Sequence, residues 1–223
     1  KLNTLITIEK DIRQSSKVIE KSIRQSYRQS EAFAQLISLV RFDAPLPPTR
    51  NWAASPDLLL TLHHHAHTSS PQVVLDLGSG LSTLILAKSA PAARIVSVDN
   101  SPEFAAKTTR ILRSHNITNV DLRVAPLNAH SSGVDWYQSS ALAGIDEIDL
   151  LFIDGPPGSK NPHARHPAFD ECLHLLSPRA IVIIDDIGRD GERELAQKFA
   201  DALPNHTLEF LDHEKGTAVL LPR

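Results

Sequence analysis

The chain has 223 residues, of which 41% are hydrophobic and 22% charged, so it can bury one substantial core and carry an appendage. Residues 1–41 are basic, with eight Lys and Arg against four acids, whereas the remaining residues carry 15 against 22. That acidic body argues against nucleic acid as the substrate, because phosphate contacts need clustered Lys and Arg.

The composition also bears on the compartment. The single cysteine excludes an internal disulfide, and no apolar run approaches the roughly 20 residues of a membrane-spanning helix. We therefore expect a cytoplasmic protein. Because the chain begins at Lys1 and contains no methionine, we also expect its natural N-terminus to lie upstream.

Residues 1–43 are predicted to form a helical arm, because residues 3–41 contain no Gly or Pro. Apolar residues at heptad spacing follow one seam: Leu5, Ile8, Ile12, Ile19, Phe33, Leu36 and Val40. Polar residues interrupt the same seam: Ser15, Ser22, Ser26 and Gln29. Three interpretations stay open: a helix packed along its own domain, a homodimerisation helix, or a basic helix peripheral to a membrane. Of the last two the homodimer fits better, because a membrane helix would need bulkier apolar residues on one face.

Pro45, Pro47 and Pro48 end the arm and begin a second unit, residues 44–223. Ser55 and Pro56 then begin a helix that extends to about His65. Further helices are predicted near 82–89, 102–115, 167–176 and 190–203. Strands are predicted at 73–77, 94–98, 119–124, 148–153, 180–185, 206–212 and 217–222. Alternating strands and helices indicate an α/β fold with a parallel sheet, closed here by a terminal antiparallel hairpin.

The segment from Val73 to Thr83 is the most informative motif of the chain. A buried strand ends near Asp76, and Gly78 and Gly80 then allow a sharp turn whose N–H groups face a ligand. The next strand ends in Asp99, which is placed to accept hydrogen bonds from a ribose diol. Together these features predict a nucleoside-containing cofactor. A nicotinamide motif would have a third glycine, where this chain has Thr83.

The pattern D-x-G-x-G, the acid after the second strand and the terminal hairpin resemble the class I S-adenosylmethionine (SAM)-dependent methyltransferases. The resemblance implies a seven-stranded Rossmann-like sheet, preceded here by the helical arm. It also implies that Asp76, Gly78 and Gly80 hold the amino-acid part of SAM and that Asp99 holds its ribose. The remaining residues of the predicted cofactor site are Ser79, Ser82, Thr83, Asn100 and Leu127. Residues 124–128 depart from the family pattern, because they offer no acid for the adenine amino group.

Two further strand ends carry acids: Asp154 follows one strand, and Asp185 and Asp186 close the next. Neighbouring carboxylates suit Mg²⁺ or a similar divalent cation. The arrangement resembles catechol-type O-methyltransferases, which place acidic metal ligands at these strand ends. The alternative is that Asp186 caps the next helix and Asp185 binds loop amides.

The segment D-G-P-P-G at 154–158, followed by Arg165 to Ala168, resembles a bacterial branch of class I methyltransferases, some of them associated with glycan synthesis. It is also similar to plant glucuronoxylan methyltransferases. The resemblance implies a small or sugar-like acceptor.

Three residues are candidates for catalysis. Asp154 is predicted as the general base or as a metal ligand. Arg165 is predicted to pair with an acceptor carboxylate or, alternatively, with the protein's own carboxylates. His166 is an alternative base, or a histidine facing solvent.

We therefore predict a SAM-dependent O-methyltransferase, with metal assistance left open. One alternative is an NAD(P)-linked oxidoreductase or epimerase, which would need the third glycine and a Tyr-x-x-x-Lys pair. Another is a non-catalytic cofactor-binding scaffold. The histidines between His63 and His67 are interpreted as incidental, Cys172 as a core residue, and Arg189 with Glu192 as a structural pair.

Overall fold

A computed structural model describes residues 2–49, 52–158 and 161–223, with the backbone alone over residues 2–8. The helices are α1 (Leu2–Leu39), α2 (Pro56–Ser69), α3 (Leu81–Ser89), α4 (Pro102–Ser114), α5 (Pro167–Cys172) and α6 (Asp190–Ala202). The strands are β1 (Val73–Leu77), β2 (Arg94–Asp99), β3 (Val120–Val124), β4 (Leu127–Ala129), β5 (Asp135–Tyr137), β6 (Ile148–Ile153), β7 (Leu176–Asp185), β8 (His206–Leu211) and β9 (Thr217–Pro222).

Seven strands form one sheet in the order β3-β2-β1-β6-β7-β9-β8. The pairs from β3 to β7 are parallel, whereas β9 runs antiparallel to both β7 and β8. This confirms the predicted α/β sheet with its terminal antiparallel hairpin. The strand order reverses between β1 and β6, and in open parallel sheets the crevice at such a reversal is where ligands bind.

The central strands are buried on both faces, because helices cover the sheet on each side. Val74 of β1 packs in a core with α2, α3 and the end of α1. Its neighbour Leu75 points to the opposite core, which includes Leu195 and Phe199 of α6. Alternate residues of one strand therefore hold two helical layers to the sheet.

Helix α1 lies in two different environments. Towards its end Leu36 is fully buried against the domain, and Val40 just beyond the helix is buried too. Gln29 Nε2 also donates to Asp57 Oδ2 at 2.6 Å, so this part of the arm packs along its own domain. Ile12 and Ile19 are about 60% exposed, and the side chains of Leu5 and Ile8 lie outside the described residues. Among the described residues, no helix combines the length and apolar character needed to cross a bilayer.

Several element bounds differ from the predicted ones. Helix α5 ends at Cys172 and a 3-10 turn follows over Leu173–Leu175. Strand β7 begins at Leu176, and Ser177, which precedes Pro178, is restricted to extended backbone. Helix α2 continues to Ser69, since no residue that breaks a helix occurs before Ser70, whose φ is +48°. The β4–β5 hairpin was not predicted, because strands of three residues leave almost no periodic pattern.

We expect Leu36→Ala to lower the free energy of unfolding by about 2–5 kcal/mol, because it leaves a cavity in the core. The matched change Ile19→Ala, on the exposed part of the same helix, should alter it by less than about 0.5 kcal/mol. Urea unfolding followed by circular dichroism measures both. Equal losses would contradict the packing of the arm, and a concentration-dependent loss in Ile19→Ala would indicate the homodimer.

Candidate active site

The loops that follow β1 and β6 meet at the reversal of strand order. The Gly78 N–H donates to Val98 O at 2.9 Å, and the Asp154 N–H donates to Leu77 O at 2.8 Å. These bonds continue the sheet by one residue beyond each strand. The glycine loop and the D-G-P-P-G segment therefore begin side by side.

Position 78 requires glycine, both because of its backbone conformation and because other backbone atoms lie close to it. Its φ is +107°, and a Cβ there would lie 3.1 Å from backbone atoms of Asp154 and Gly155. Gly80 differs, because its φ of 170° is open to any residue. A Cβ at Gly80 would meet no atom within 4 Å. The open space beside Gly80 is therefore room for a ligand.

Asp76 lies beneath the glycine loop. Its Oδ2 accepts hydrogen bonds from Thr83 Oγ1 at 2.6 Å and from Ser97 Oγ at 2.7 Å. Thr83 Oγ1 in turn accepts from the Gly80 N–H at 3.0 Å. Burial raises the pKa of Asp76 to about 7. Asp76 and Thr83 thus support the loop from below, and their contact with the cofactor stays a prediction.

Asp99 is held at the end of β2 by three donors. Its Oδ2 accepts from the Ser79 N–H at 3.1 Å and from Ser79 Oγ at 2.6 Å. Its Oδ1 accepts from the Ser101 N–H at 2.8 Å. Each carboxylate oxygen can accept more than one hydrogen bond, so Asp99 is fixed in position and still able to accept from a diol.

A cavity of about 200 Å³ opens over these loops. Predicted site residues that line it are Gly78, Ser79, Gly80, Ser82, Asp99, Asn100, Asp154, Arg165 and Asp186. The lining residues that sequence reasoning missed include three aromatic residues and a lysine: Trp52, Phe104, Tyr137 and Lys215. They lie outside the strand-end pattern, so only their residue types, aromatic or cationic, could have drawn attention to them.

Five predicted residues do not line this cavity: Asp76 and Thr83 beneath the glycine loop, the buried Asp185, and Leu127 and His166, which lie away from it. Leu127 begins β4 and packs against the hydrophobic core. His166 precedes α5, and its Nε2 lies 2.9 Å from Gly191 O. Because this contact makes Nε2 a donor, the geometry does not present His166 to the cavity as a base.

Three carboxylates converge at the ends of β6 and β7. Asp154, Asp185 and Asp186 each offer an oxygen, and these atoms lie within 4.8 Å of one another. Burial raises the pKa of Asp154 to about 6 and raises that of Asp185 well above its usual value. Burial desolvates a carboxylate, and neighbouring negative charges disfavour its ionised form further.

Arg165 is buried among these carboxylates, with only 3% of its surface exposed. Its Nη2 donates to Asp186 Oδ2 at 2.8 Å and to Asp154 Oδ1 at 3.1 Å. Arg189 also pairs with Asp186, and its Nη2 lies 3.2 Å from Glu192 Oε1, as the predicted structural pair requires. The protein's own acids therefore bind the guanidinium of Arg165, which agrees with the second of its two interpretations.

This arrangement does not fit a divalent cation. Carboxylate oxygens are suitable ligands for Mg²⁺. However, two of the oxygens, Asp154 Oδ1 and Asp186 Oδ2, already accept from Arg165. Of these three carboxylates, Asp185 has a buried oxygen, Oδ2, that has no hydrogen-bond partner among the described residues. The predicted divalent cation would therefore have to compete with Arg165 for these oxygens.

The histidines of α2 and Cys172 contact other side chains of the protein or lie in its core. His63 Nδ1 lies 2.8 Å from Ser89 Oγ, and the His63 and His67 rings stack at 5.6 Å. Within the described ranges, no group of three or more potential metal ligands includes these histidines. Cys172 is fully buried, and burial raises the pKa of its thiol.

Asp76→Asn tests the buried carboxyl beneath the loop. The folded protein holds the Asp76 proton up to a pKa of about 7, whereas the unfolded chain releases it near 3.8. The free energy of unfolding should therefore fall as pH rises between these values, by up to about 4 kcal/mol. The variant should show a weaker fall in urea unfolding at pH 4.5 to 7.5. The same pH dependence in both proteins would contradict the assignment.

Comparisons with known proteins agree with this geometry. The model of a family described as a methyltransferase domain matches residues 75–187, just over half of the chain. These residues include the glycine loop, Asp99 and the carboxylate cluster. No curated protein matches the sequence significantly.

Solved structures share the fold. An SAH-bound methyltransferase from Podospora anserina is 19% identical, with a TM-score of 0.63 over 92% of this chain and 96% of its own. An O-methyltransferase from Bacillus cereus in complex with SAH is 17% identical, with a TM-score of 0.62 over 90% of this chain and 97% of its own. An O-methyltransferase from Streptomyces achromogenes in complex with SAM is 20% identical, with a TM-score of 0.58 and 87% and 88% coverage.

Proposed function

Because the chain belongs to this methyltransferase-domain family, we propose that it transfers a methyl group from SAM to an oxygen of a small or sugar-like acceptor. The observation that carries the proposal is a single cavity in which the glycine loop, Asp99 and Asp154 meet. The family supplies the reaction type. The cavity adds Asp99, which would bind the ribose, and Asp154, which would accept the proton of the acceptor hydroxyl.

The half of the cavity near β1 and β2 suits SAM. Asp99 is fixed by Ser79 and Ser101 and is exposed to the cavity, so it would accept from both ribose hydroxyls. The free N–H groups at the start of α3 would bind the carboxylate of the amino-acid part. The solved neighbours from Podospora anserina and Streptomyces achromogenes contain SAH and SAM respectively, which supports this choice of cofactor.

The half near β6 and β7 suits the acceptor. SAM, when bound, supplies a methyl group on a sulfonium, and transfer needs an aligned hydroxyl that loses its proton. Asp154 lines this half, and its pKa of about 6 makes it a stronger base than an ordinary aspartate while leaving it ionised at neutral pH. Trp52, which is 68% exposed at the cavity wall, offers a flat apolar surface to a sugar or aromatic ring.

The proposed partners follow from the same surfaces. A small or glycan acceptor would enter beside Trp52 and Lys215. The exposed isoleucines of α1 are the basis for a homodimer, and the basic residues of the arm for a peripheral membrane contact. Homodimer, membrane contact and cytoplasmic location all stay predictions.

Asp99→Ala should weaken SAH binding by at least about tenfold, because the ribose loses its charged acceptor. Isothermal titration calorimetry of the wild type and the variant measures this. Glu103→Ala is the matched control, since Glu103 lies nearby on α4 but pairs with Lys107 at the surface. Wild-type binding of NAD(H) in place of SAH would contradict the proposal and favour the oxidoreductase.

Asp154→Asn should lower methyl transfer by about 10²- to 10⁴-fold while leaving SAH binding nearly unchanged, because the proton acceptor is lost. In the wild type the rate should rise with pH through about 6, as the Asp154 carboxyl ionises. SAH formation is measured over a panel of sugars, uronic acids and phenols. Asp146→Asn, an exposed aspartate, is the control. Full activity in Asp154→Asn would exclude Asp154 as the base, and SAH binding without turnover on any acceptor would favour the scaffold.

A further inference from the structure

The guanidinium of Arg165 lies at the centre of the carboxylate cluster. Besides its bonds to Asp154 Oδ1 and Asp186 Oδ2, its Nη2 donates to Asp154 O at 2.7 Å. Its Nη1 donates to Asp185 O at 3.1 Å, and its Nε donates to Pro156 O at 3.3 Å. One side chain thus connects the ends of β6 and β7 with the D-G-P-P-G segment.

The position of Arg165 is determined by packing as well as by charge. Its loop lies directly on α6, because a Cβ at Gly191 would come within 1.9 Å of Pro162 O. Glu192 on the same helix is buried, and its Oε1 lies 3.7 Å from Arg165 Nε. A larger residue at Gly191 would displace the loop that carries the guanidinium.

Arg165 binds two of the three carboxylates that a cation at this cluster would need. Asp154 Oδ1 and Asp186 Oδ2 both lie within 3.1 Å of Nη2, so the guanidinium already occupies the position between these two oxygens. Arg189 adds a second positive charge on Asp186. The cluster therefore already contains the positive charge that holds its carboxylates together.

We propose that Arg165 takes the place of a divalent cation in this cluster, so that cofactor binding and methyl transfer need no metal. This inference rests on the proposed function and concerns the same cavity. Arg165 acts as a positioning residue: it holds the Asp154 carboxylate and the backbone of residues 154–156 in place. A guanidinium suits this task because its fixed fork of donors binds two carboxylates at once.

The first test uses the wild type at pH 7.5. SAH affinity should change less than twofold between buffers that contain EDTA and buffers that contain Mg²⁺. In a titration with Mn²⁺ followed by electron paramagnetic resonance, Asp186→Asn should bind Mn²⁺ no differently from the wild type. A Mn²⁺ site that is lost in Asp186→Asn would overturn the inference, as would a tenfold loss of SAH affinity in EDTA that Mg²⁺ restores.

The second test removes the guanidinium. Arg165→Gln should bind Mn²⁺ at least tenfold more tightly than the wild type, because Asp154 and Asp186 then lack the guanidinium that lies between them. The gained site should disappear in Arg165→Gln/Asp186→Asn, and Arg165→Lys, which keeps the charge, should not gain it. A folded Arg165→Gln that gains no Mn²⁺ binding would overturn the inference, and if it fails to fold, the wild-type measurements decide.

Two controls show whether a change in Mn²⁺ binding comes from the carboxylate cluster and whether a failure concerns Arg165 or the proposed function. His163, His166 and Glu194 form a second group of potential ligands near Arg165, but this group is identical in all the variants. The difference between proteins therefore reports the carboxylate cluster alone. SAH binding is measured first: its absence in every buffer contradicts the proposed function, whereas binding that requires metal overturns only the inference about Arg165.

Discussion

The contact between two loops at the reversal of strand order is the constraint on which the site depends. Gly78 and Gly155 approach so closely that a side chain at either would meet other atoms of the site. Because of this contact, the glycine loop and the D-G-P-P-G segment line the same crevice. Because both loops continue hydrogen-bonded strands, the sheet transmits its rigidity to the residues that line the cavity.

The site also contains several buried acidic and basic side chains. Asp76 and Asp185 are almost inaccessible to water, and each has a raised pKa, so their protons are bound more tightly than in solvent. The cluster around Asp154 is stable because guanidinium groups from two different elements pair with its acids. A buried acid that lost its partner would be costly, so Arg165 matters to the fold as well as to the position of Asp154.

The arm shows how one helix can have two physical roles. Its C-terminal part supplies Leu36 to a core shared with α2 and α3, and it behaves as part of the domain. Its earlier part exposes isoleucines that have no contact with that core. Exposed apolar side chains of this kind are typical of surfaces that contact another molecule.

The sequence by itself determined the α/β architecture and the residues that lie at the strand ends. These follow from local rules: apolar runs make buried strands, and glycine and an acid after a strand make a ligand loop. Asp99 and Asp154 were predicted for that reason, and both line the cavity.

Only the tertiary structure decided which side chains from distant segments meet. Arg165 donates to Asp154 and Asp186. Tyr137 lines the cavity from the β4–β5 hairpin, which has no clear sequence pattern, and Leu127 packs against the hydrophobic core. The sequence also did not predict that Asp76 is buried beneath the glycine loop, because a motif specifies the spacing of residues and not their solvent exposure. The physical reason is that these contacts depend on how helices and loops pack over the sheet, and that packing is a property of the whole chain.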